Sequence, residues 1–384
     1  MKVLYDYQAF ENRYSGISNC FVQLISNLPQ DVLWNIGCKQ SVNVHLLEKN
    51  LISDIKRPLI NEGNFIVNKH FYGKKTLYNI LNRYMPLFLS SYRINMDYSI
   101  ECLKKQDYDV FHPTYQNDYF LNYIKNKPII FTVHDFIPES FPQYFDLRRE
   151  RSKYNIIKKS KHIIAVSHHT KKDIIRFMGV KESKISVIYH GAPEPKNISI
   201  ESNRIVAEEY FLYVGMRGGY KNFISFIKVC ALFIKNHPNV MIVCTGMPFT
   251  KNEMELIESL DIKSNVVNMF VTDSELLNLY KYAIAFIYPS LYEGFGIPIL
   301  ESFSQGCLTL LNNKSCFPEI GGDAALYFVL DETQNTLLDR LYDAYYITDL
   351  ERQSFKDKSR ERLKLFSWTQ SAKRLSDCYK TFIF

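Results

Sequence analysis

Ile284-Ala-Phe-Ile-Tyr-Pro-Ser-Leu-Tyr-Glu-Gly-Phe-Gly-Ile-Pro-Ile-Leu-Glu301 reads as one strand–loop–helix unit. Ile284–Tyr288 is apolar without alternation, the pattern of a parallel strand covered on both faces. Pro298 stands near the first helical position, where its missing N–H matters least. Gly294 and Gly296 allow the backbone to approach a ligand closely. The free N–H groups of a helix start attract phosphate or sugar oxygens. Glu293 and Glu301 bracket the loop at two depths, and carboxylates accept hydrogen bonds from hydroxyls. Either glutamate alone is equally a glycine-turn residue or a first-turn acid favoured by the helix dipole.

The same βα rhythm runs outward in both directions. Strands are expected at Val3–Asp6, Leu33–Cys38, Val110–His112, Ile129–His134, Ile163–Ser167 and Ser186–Tyr189. A second series is expected at Phe211–Gly215, Val240–Gly246, Val266–Phe270, Ile284–Tyr288 and Leu308–Leu311. Helical patterns separate them, which argues two doubly wound α/β domains rather than one long sheet. Pro193, Pro195 and the aperiodic polar run Lys196–Arg204 mark the boundary. The expected division is 1–195, 206–365 and a terminal helix within 366–384. In open α/β sheets ligands sit at the carboxyl ends of strands, so two such domains face to face make one cleft.

Bulk composition agrees and excludes several classes. A chain of 384 residues exceeds one core of usual size. Its 46% hydrophobic and 23% charged residues are ordinary for a globular protein. A net charge of +7 without a dense basic stripe argues against a dedicated nucleic-acid binder. The eight cysteines are scattered, several within apolar runs, as expected for reduced core thiols rather than a disulfide frame or zinc site. No early apolar run is long enough for a signal peptide or a membrane span. A soluble or peripheral protein is expected.

Three further motifs fall at expected strand ends. Val214-Gly-Met-Arg-Gly-Gly-Tyr-Lys-Asn222 places Arg217 and Lys221 around a glycine pair. Two cations there suit a diphosphate, at roughly 1.5–3 kcal/mol per charge-assisted hydrogen bond. His134 and Asp135 close a buried strand, and His112 closes another. His112 is equally a packing residue beside the cleft. Gly16 opens the first helix, where it admits a phosphate or an acceptor. It is not part of a G-x-G-x-x-G fingerprint, which argues against an NAD enzyme.

The context Glu293-Gly-Phe-Gly-Ile-Pro with Glu301 closely resembles the donor signature of retaining glycosyltransferases of the family 4 type, which have two Rossmann-like domains (the GT-B fold). Ser302–Leu310 and Phe317-Pro-Glu-Ile-Gly-Gly-Asp-Ala-Ala325 resemble its continuation, so the likeness spans nearly the whole chain. By that resemblance Glu301 holds the ribose hydroxyls, and Glu293 contacts the donor hexose. The backbone of Gly294, Phe295, Gly296 and Ile297 meets sugar and phosphate. Arg217 and Lys221 bind the diphosphate and support its departure, and His134 approaches the donor sugar. Phe270 and Val271 lie along the base. Gly16 stands where the family carries a glycine pair. The first domain then takes the acceptor, and the helix after Phe366 crosses back to it.

The wider matches look most like the mannosyltransferase-like branch that builds bacterial surface polysaccharide, O-antigen or capsule. That implies a nucleotide-sugar donor, best a GDP-sugar, and a saccharide or lipid-linked saccharide acceptor. It also implies a cytoplasmic or inner-membrane-associated enzyme without a metal or other cofactor. Asp107-Tyr-Asp109 spells the metal motif of the other large glycosyltransferase fold, but precedes a strand and reads as a plain turn. The segment Lys69–Arg93 is basic and aromatic, and suits either an anionic bilayer or a surface helix packed on domain one. The competing functional readings are a sugar-nucleotide epimerase or phosphorylase on the same scaffold, and a non-catalytic nucleotide-sugar-binding partner.

Overall fold

A computed structural model of the chain describes residues 1–52, 71, 73–84, 91–193, 203–332 and 334–383. β1 (Lys2–Tyr5), β2 (Leu33–Ile36) and β3 (Val110–His112) pair in the order β2-β1-β3. β4 (Ile130–Val133), β5 (His162–Ala165) and β6 (Ile185–Val187) pair in chain order. A parallel bridge from Phe111 to Ile129 joins the two sets into one surface. The second domain carries β7 (Tyr210–Tyr213), β8 (Met241–Thr245), β9 (Val266–Met269), β10 (Ala285–Tyr288), β11 (Thr309–Asn312) and β12 (Leu326–Phe328), in the order β12-β11-β10-β7-β8-β9. Each named pairing is parallel.

The central strands are wholly buried: β4, β5, β7, β10 and β11 expose no residue. Successive side chains point to opposite faces, so Phe211 and Tyr213 enter one core with Phe226 and Phe233. Tyr210 and Leu212 enter another with Phe286, Leu300 and Phe303. This two-sided burial is the reason for the unbroken apolar runs in the sequence. Observed strands end one or two residues before several expected ends, because the last expected residues turn into the carboxyl-edge loops. β12 was not expected; it is three residues long, too short for a pattern to stand out.

Residues 194–202 of the expected linker, and 53–70, 72 and 85–90 around the basic-aromatic segment, lie outside the described residues. The terminal helix Trp368–Thr381 packs on the first domain. Tyr379 meets the Tyr5 hydroxyl at 2.9 Å and Lys380 pairs with Asp31 at 2.7 Å. At Gly191 a Cβ would lie 2.4 Å from the Trp368 ring, so only glycine allows the chain to pass there. Asp109 accepts the Lys2 backbone N–H at 2.7 Å and Asp107 pairs with the Lys2 amine, so this pair anchors β1. The eight cysteines are free, as the sequence indicated. Among the described residues, no helix is long and apolar enough to cross a membrane.

Candidate functional site

Strand order reverses between β7 and β10, and a reversal opens a crevice at the carboxyl edge. The loops leaving those two strands are the Gly215–Asn222 and Pro289–Gly296 segments, so motifs far apart in sequence meet. Lys221 Nζ donates to Glu293 Oε1 at 2.6 Å, with both side chains largely buried. Asn222 explains the placement. It takes a left-handed φ of 58°, and its amide donates to the carbonyls of Pro289 at 3.3 Å and Leu330 at 2.9 Å. Leu291 N–H donates to the Tyr220 carbonyl at 2.8 Å, closing the loop pair. Burial by itself would lower the Lys221 ammonium; the Glu293 carboxylate and Tyr220 outweigh it and hold the group above its ordinary value.

Gly296 starts the helix Ile297–Ser304 at φ 89°, a conformation that suits glycine. Glu301 lies one turn in and accepts the Tyr280 hydroxyl at 3.2 Å. Burial raises its carboxyl to about 7. Phe295 is buried against His190, ring centroids 4.8 Å apart.

Arg217, expected with Lys221 as a cation for a diphosphate, also has partners within the protein. Its Nε donates to Glu253 at 3.0 Å, and one terminal nitrogen donates to the carbonyls of Met247 at 2.6 Å and Pro248 at 2.8 Å. The guanidinium lies over the Phe249 ring. Arg217 ties the loop after β8 to Glu253 at the start of the next helix, while its remaining terminal nitrogen, Nη1, is buried without a hydrogen-bond partner. Lys221 is the cation set beside Glu293.

His134 reaches the cleft from the opposite domain. It stacks on His190 at 5.8 Å, and burial lowers the two rings to about 4 and about 3, so both are neutral. The His134 Nε2 has no hydrogen-bond partner within the protein. Its backbone carbonyl abuts Gly294, where a Cβ would lie only 1.8 Å away. Asp135 accepts the Ile137 N–H at 3.1 Å. His112 is fully buried between the Tyr379 and Thr132 hydroxyls, which is its packing reading. Gly16 opens the helix Gly16–Ser26 with open space around it.

Phe270 is 87% exposed just past β9, and Val271 follows it, partly buried. Met216 and Met247 are exposed beside the ends of β7 and β8. Met216, Met247 and Phe270 thus stand just past the carboxyl ends of the neighbouring strands β7, β8 and β9. The two methionines were missed in sequence. The available signal was a shared ending: each follows a glycine with positive φ, Gly215 at 109° and Gly246 at 107°.

With this geometry in place, the family comparison decides. Residues 196–362 match the family described as glycosyl transferases group 1, and residues 72–194 match Glycosyltransferase Family 4. The chain belongs to the glycosyltransferases. It is 32% identical over 219 residues to the O-antigen chain mannosyltransferase RfbU of Salmonella typhimurium, covering 55% of this chain and 59% of that one. It is 24% identical over 318 residues to O-antigen chain mannosyltransferase B of Escherichia coli, covering 78% and 81%. The crystal structure of Anabaena Alr3699/HepE in complex with UDP-glucose matches with a TM-score of 0.71 over 99% of this chain and 100% of that one. At 14% identity this is a likeness of fold. The glycosyltransferase thus has the GT-B architecture, two Rossmann-like domains across a cleft.

Proposed function

We propose that this glycosyltransferase moves a hexose from a nucleoside-diphosphate sugar onto a saccharide hydroxyl in surface-polysaccharide synthesis. The observation that carries the proposal is the Lys221–Glu293 pair at the β7/β10 crevice, with Glu301 one helical turn deeper. Lys221 takes the diphosphate, and Glu293 turns to the hexose hydroxyls. Glu301 accepts the ribose hydroxyls, and the open edge by Phe270 takes the base. Neutral His134, with Nε2 free, hydrogen-bonds the hexose from domain one. The acceptor oxygen attacks the anomeric carbon on the face the diphosphate leaves. Its proton passes to the departing phosphate oxygen, and configuration is retained. Positive charge at Lys221 stabilises that leaving group, so the reaction runs without a metal.

Two relatives named O-antigen mannosyltransferases support mannose as the transferred sugar; a GDP-sugar donor is what the sequence resemblance implies. The words O-antigen chain in those names also support a saccharide acceptor; a lipid-linked one is what the sequence resemblance implies. A peripheral bilayer contact fits the helix Lys74–Tyr84, which exposes Leu77, Ile80 and Tyr84 along one stripe at 38%, 48% and 77%.

The test is a panel of GDP-, UDP- and dTDP-hexoses screened for thermal stabilisation, followed by nucleoside-diphosphate release with lipid-linked and free oligosaccharide acceptors. GDP-mannose is expected to stabilise and to turn over. Stabilisation by no nucleotide sugar defeats the proposal; stabilisation by UDP-sugars alone corrects the donor.

A further inference from the structure

Tyr292, Gly294 and Glu319 belong to the donor domain but end on one helix of the other domain. Glu319 sits in the short helix Phe317–Gly321 after β11. Its two carboxylate oxygens accept separately the backbone N–H of His168 at 2.7 Å and of His169 at 3.1 Å. Those are the first two residues of the helix His168–Met178, whose own N-cap, Ser167, accepts only the Thr170 N–H. First-turn N–H groups have no partner within their own helix, and the helix start carries partial positive charge. A carboxylate from across the cleft closes this helix start.

Neighbouring contacts converge on the same turn. The Gly294 carbonyl accepts the Ser167 hydroxyl at 2.7 Å and the Thr170 hydroxyl at 3.2 Å. The Tyr292 hydroxyl donates to Asp173 further along the helix and accepts the Phe136 N–H at 3.3 Å. Residues alternate along the loop. Tyr292 and Gly294 hold domain one, while Glu293 between them turns to Lys221. Any ligand that draws Lys221 or Glu293 into new contacts therefore acts on a loop anchored to the opposite domain.

We infer that Glu319 is a positioning residue for transfer, a carboxylate of the donor domain that caps the helix His168–Met178 of the other domain and so holds Gly294 against the His134 carbonyl. Its part in transfer rests on the function proposed above; the grip between domains does not. Placement of the reacting groups within about 1 Å separates productive from unproductive closure, so loss of the grip lowers turnover more than nucleotide binding.

The experiment uses the full chain with Glu319→Ala, Glu319→Gln and Tyr292→Phe. Three quantities are read: radius of gyration by small-angle scattering, Kd for GDP and UDP by calorimetry, and kcat with the nucleotide sugar that stabilises the wild type. Glu319→Ala is expected to enlarge the radius of gyration and lower kcat about tenfold or more, with nucleotide Kd within about twofold of wild type. Glu319→Gln keeps one acceptor oxygen and falls between. Tyr292→Phe, which leaves the cap intact and keeps the ring, is expected to repeat the kcat loss in milder form. Unchanged scattering and kcat in Glu319→Ala overturn the inference. So does a lower melting temperature with kcat per folded molecule unchanged, which leaves Glu319 a stabilising residue only. If Glu319→Ala fails to fold, Glu319→Gln and Tyr292→Phe decide by the same readouts. If the wild type turns over no nucleotide sugar, the functional proposal fails, and scattering alone still decides the grip.

Discussion

Both domains have a strand-order reversal, yet their residues use it in opposite ways. In domain two the β7/β10 edge keeps charged groups at a crevice: Lys221 with Glu293, Glu301 beyond them, and Phe270 exposed at the rim. In domain one the β1/β3 edge is largely closed on itself. Asp6 accepts the Thr114 N–H at 2.8 Å, the Thr114 hydroxyl at 2.6 Å and the Gln8 amide at 2.6 Å. Gln8 in turn accepts the Asn117 N–H at 2.8 Å. A reversal supplies only a crevice; the groups set at it differ, an ion pair and a buried carboxyl in domain two, a hydrogen-bonded net around Asp6 in domain one.

That contrast breaks or sharpens under substitution. The largest effect is expected from Gly294→Ala, whose methyl would collide with the His134 carbonyl. Transfer should fall at least about a hundredfold while nucleotide binding to domain two persists. Wild-type turnover in this variant would mean that the two domains need not meet at Gly294. Lys221→Ala should reduce kcat/KM by roughly 10- to 100-fold and weaken nucleoside-diphosphate binding, as loss of a charge-assisted contact implies. An unchanged affinity would move the diphosphate away from the β7/β10 edge.

The Glu301 carboxyl, raised by burial to about 7, adds a pH signature. Burial favours the protonated form in the free protein, whereas ribose hydroxyls favour the carboxylate. Nucleotide affinity should therefore rise with pH, by up to about tenfold from pH 6 to pH 8. Calorimetry across that range should lose this slope in Glu301→Gln. The smallest functional effect is expected in domain one. Asp6→Asn should cost about 1–3 kcal/mol of stability through its disturbed bonds, seen by denaturant unfolding, with nucleotide Kd unchanged. A shift in Kd would mean that the closed edge also takes part in donor binding.

The difference between the edges also explains what was legible in sequence. The β7/β10 edge announces itself because two glycines and two carboxylates fall together in so short a stretch, although either glutamate alone has a plain structural use. Gly294-Phe-Gly296 between Glu293 and Glu301 is informative within ten residues. Domain one gives weaker signals, since His112, Asp6 and Thr114 are ordinary strand-end residues whose role is to satisfy each other. His134 by itself reads as a strand-end histidine, and its approach to a donor sugar came only from the family resemblance; its stacking on His190 and its unpartnered Nε2 belong to the tertiary packing. Met216 and Met247 carried only the weak signal of a preceding glycine at a strand end, and their exposure is seen only in the folded chain.

Sequence alone was enough for the two α/β domains, the parallel sheets and the Glu293–Glu301 loop at a strand's carboxyl end, because these follow from local periodicity and from residues close together in the chain. Only the tertiary structure decided which partner each charge takes. Arg217 goes to Glu253, 36 positions away; Lys221 goes to Glu293, 72 positions away; and Glu319 reaches the N–H of His168, 151 positions away. Electrostatic pairing depends on distance in space and on burial, and neither is set until the sheets are stacked and the two domains have met.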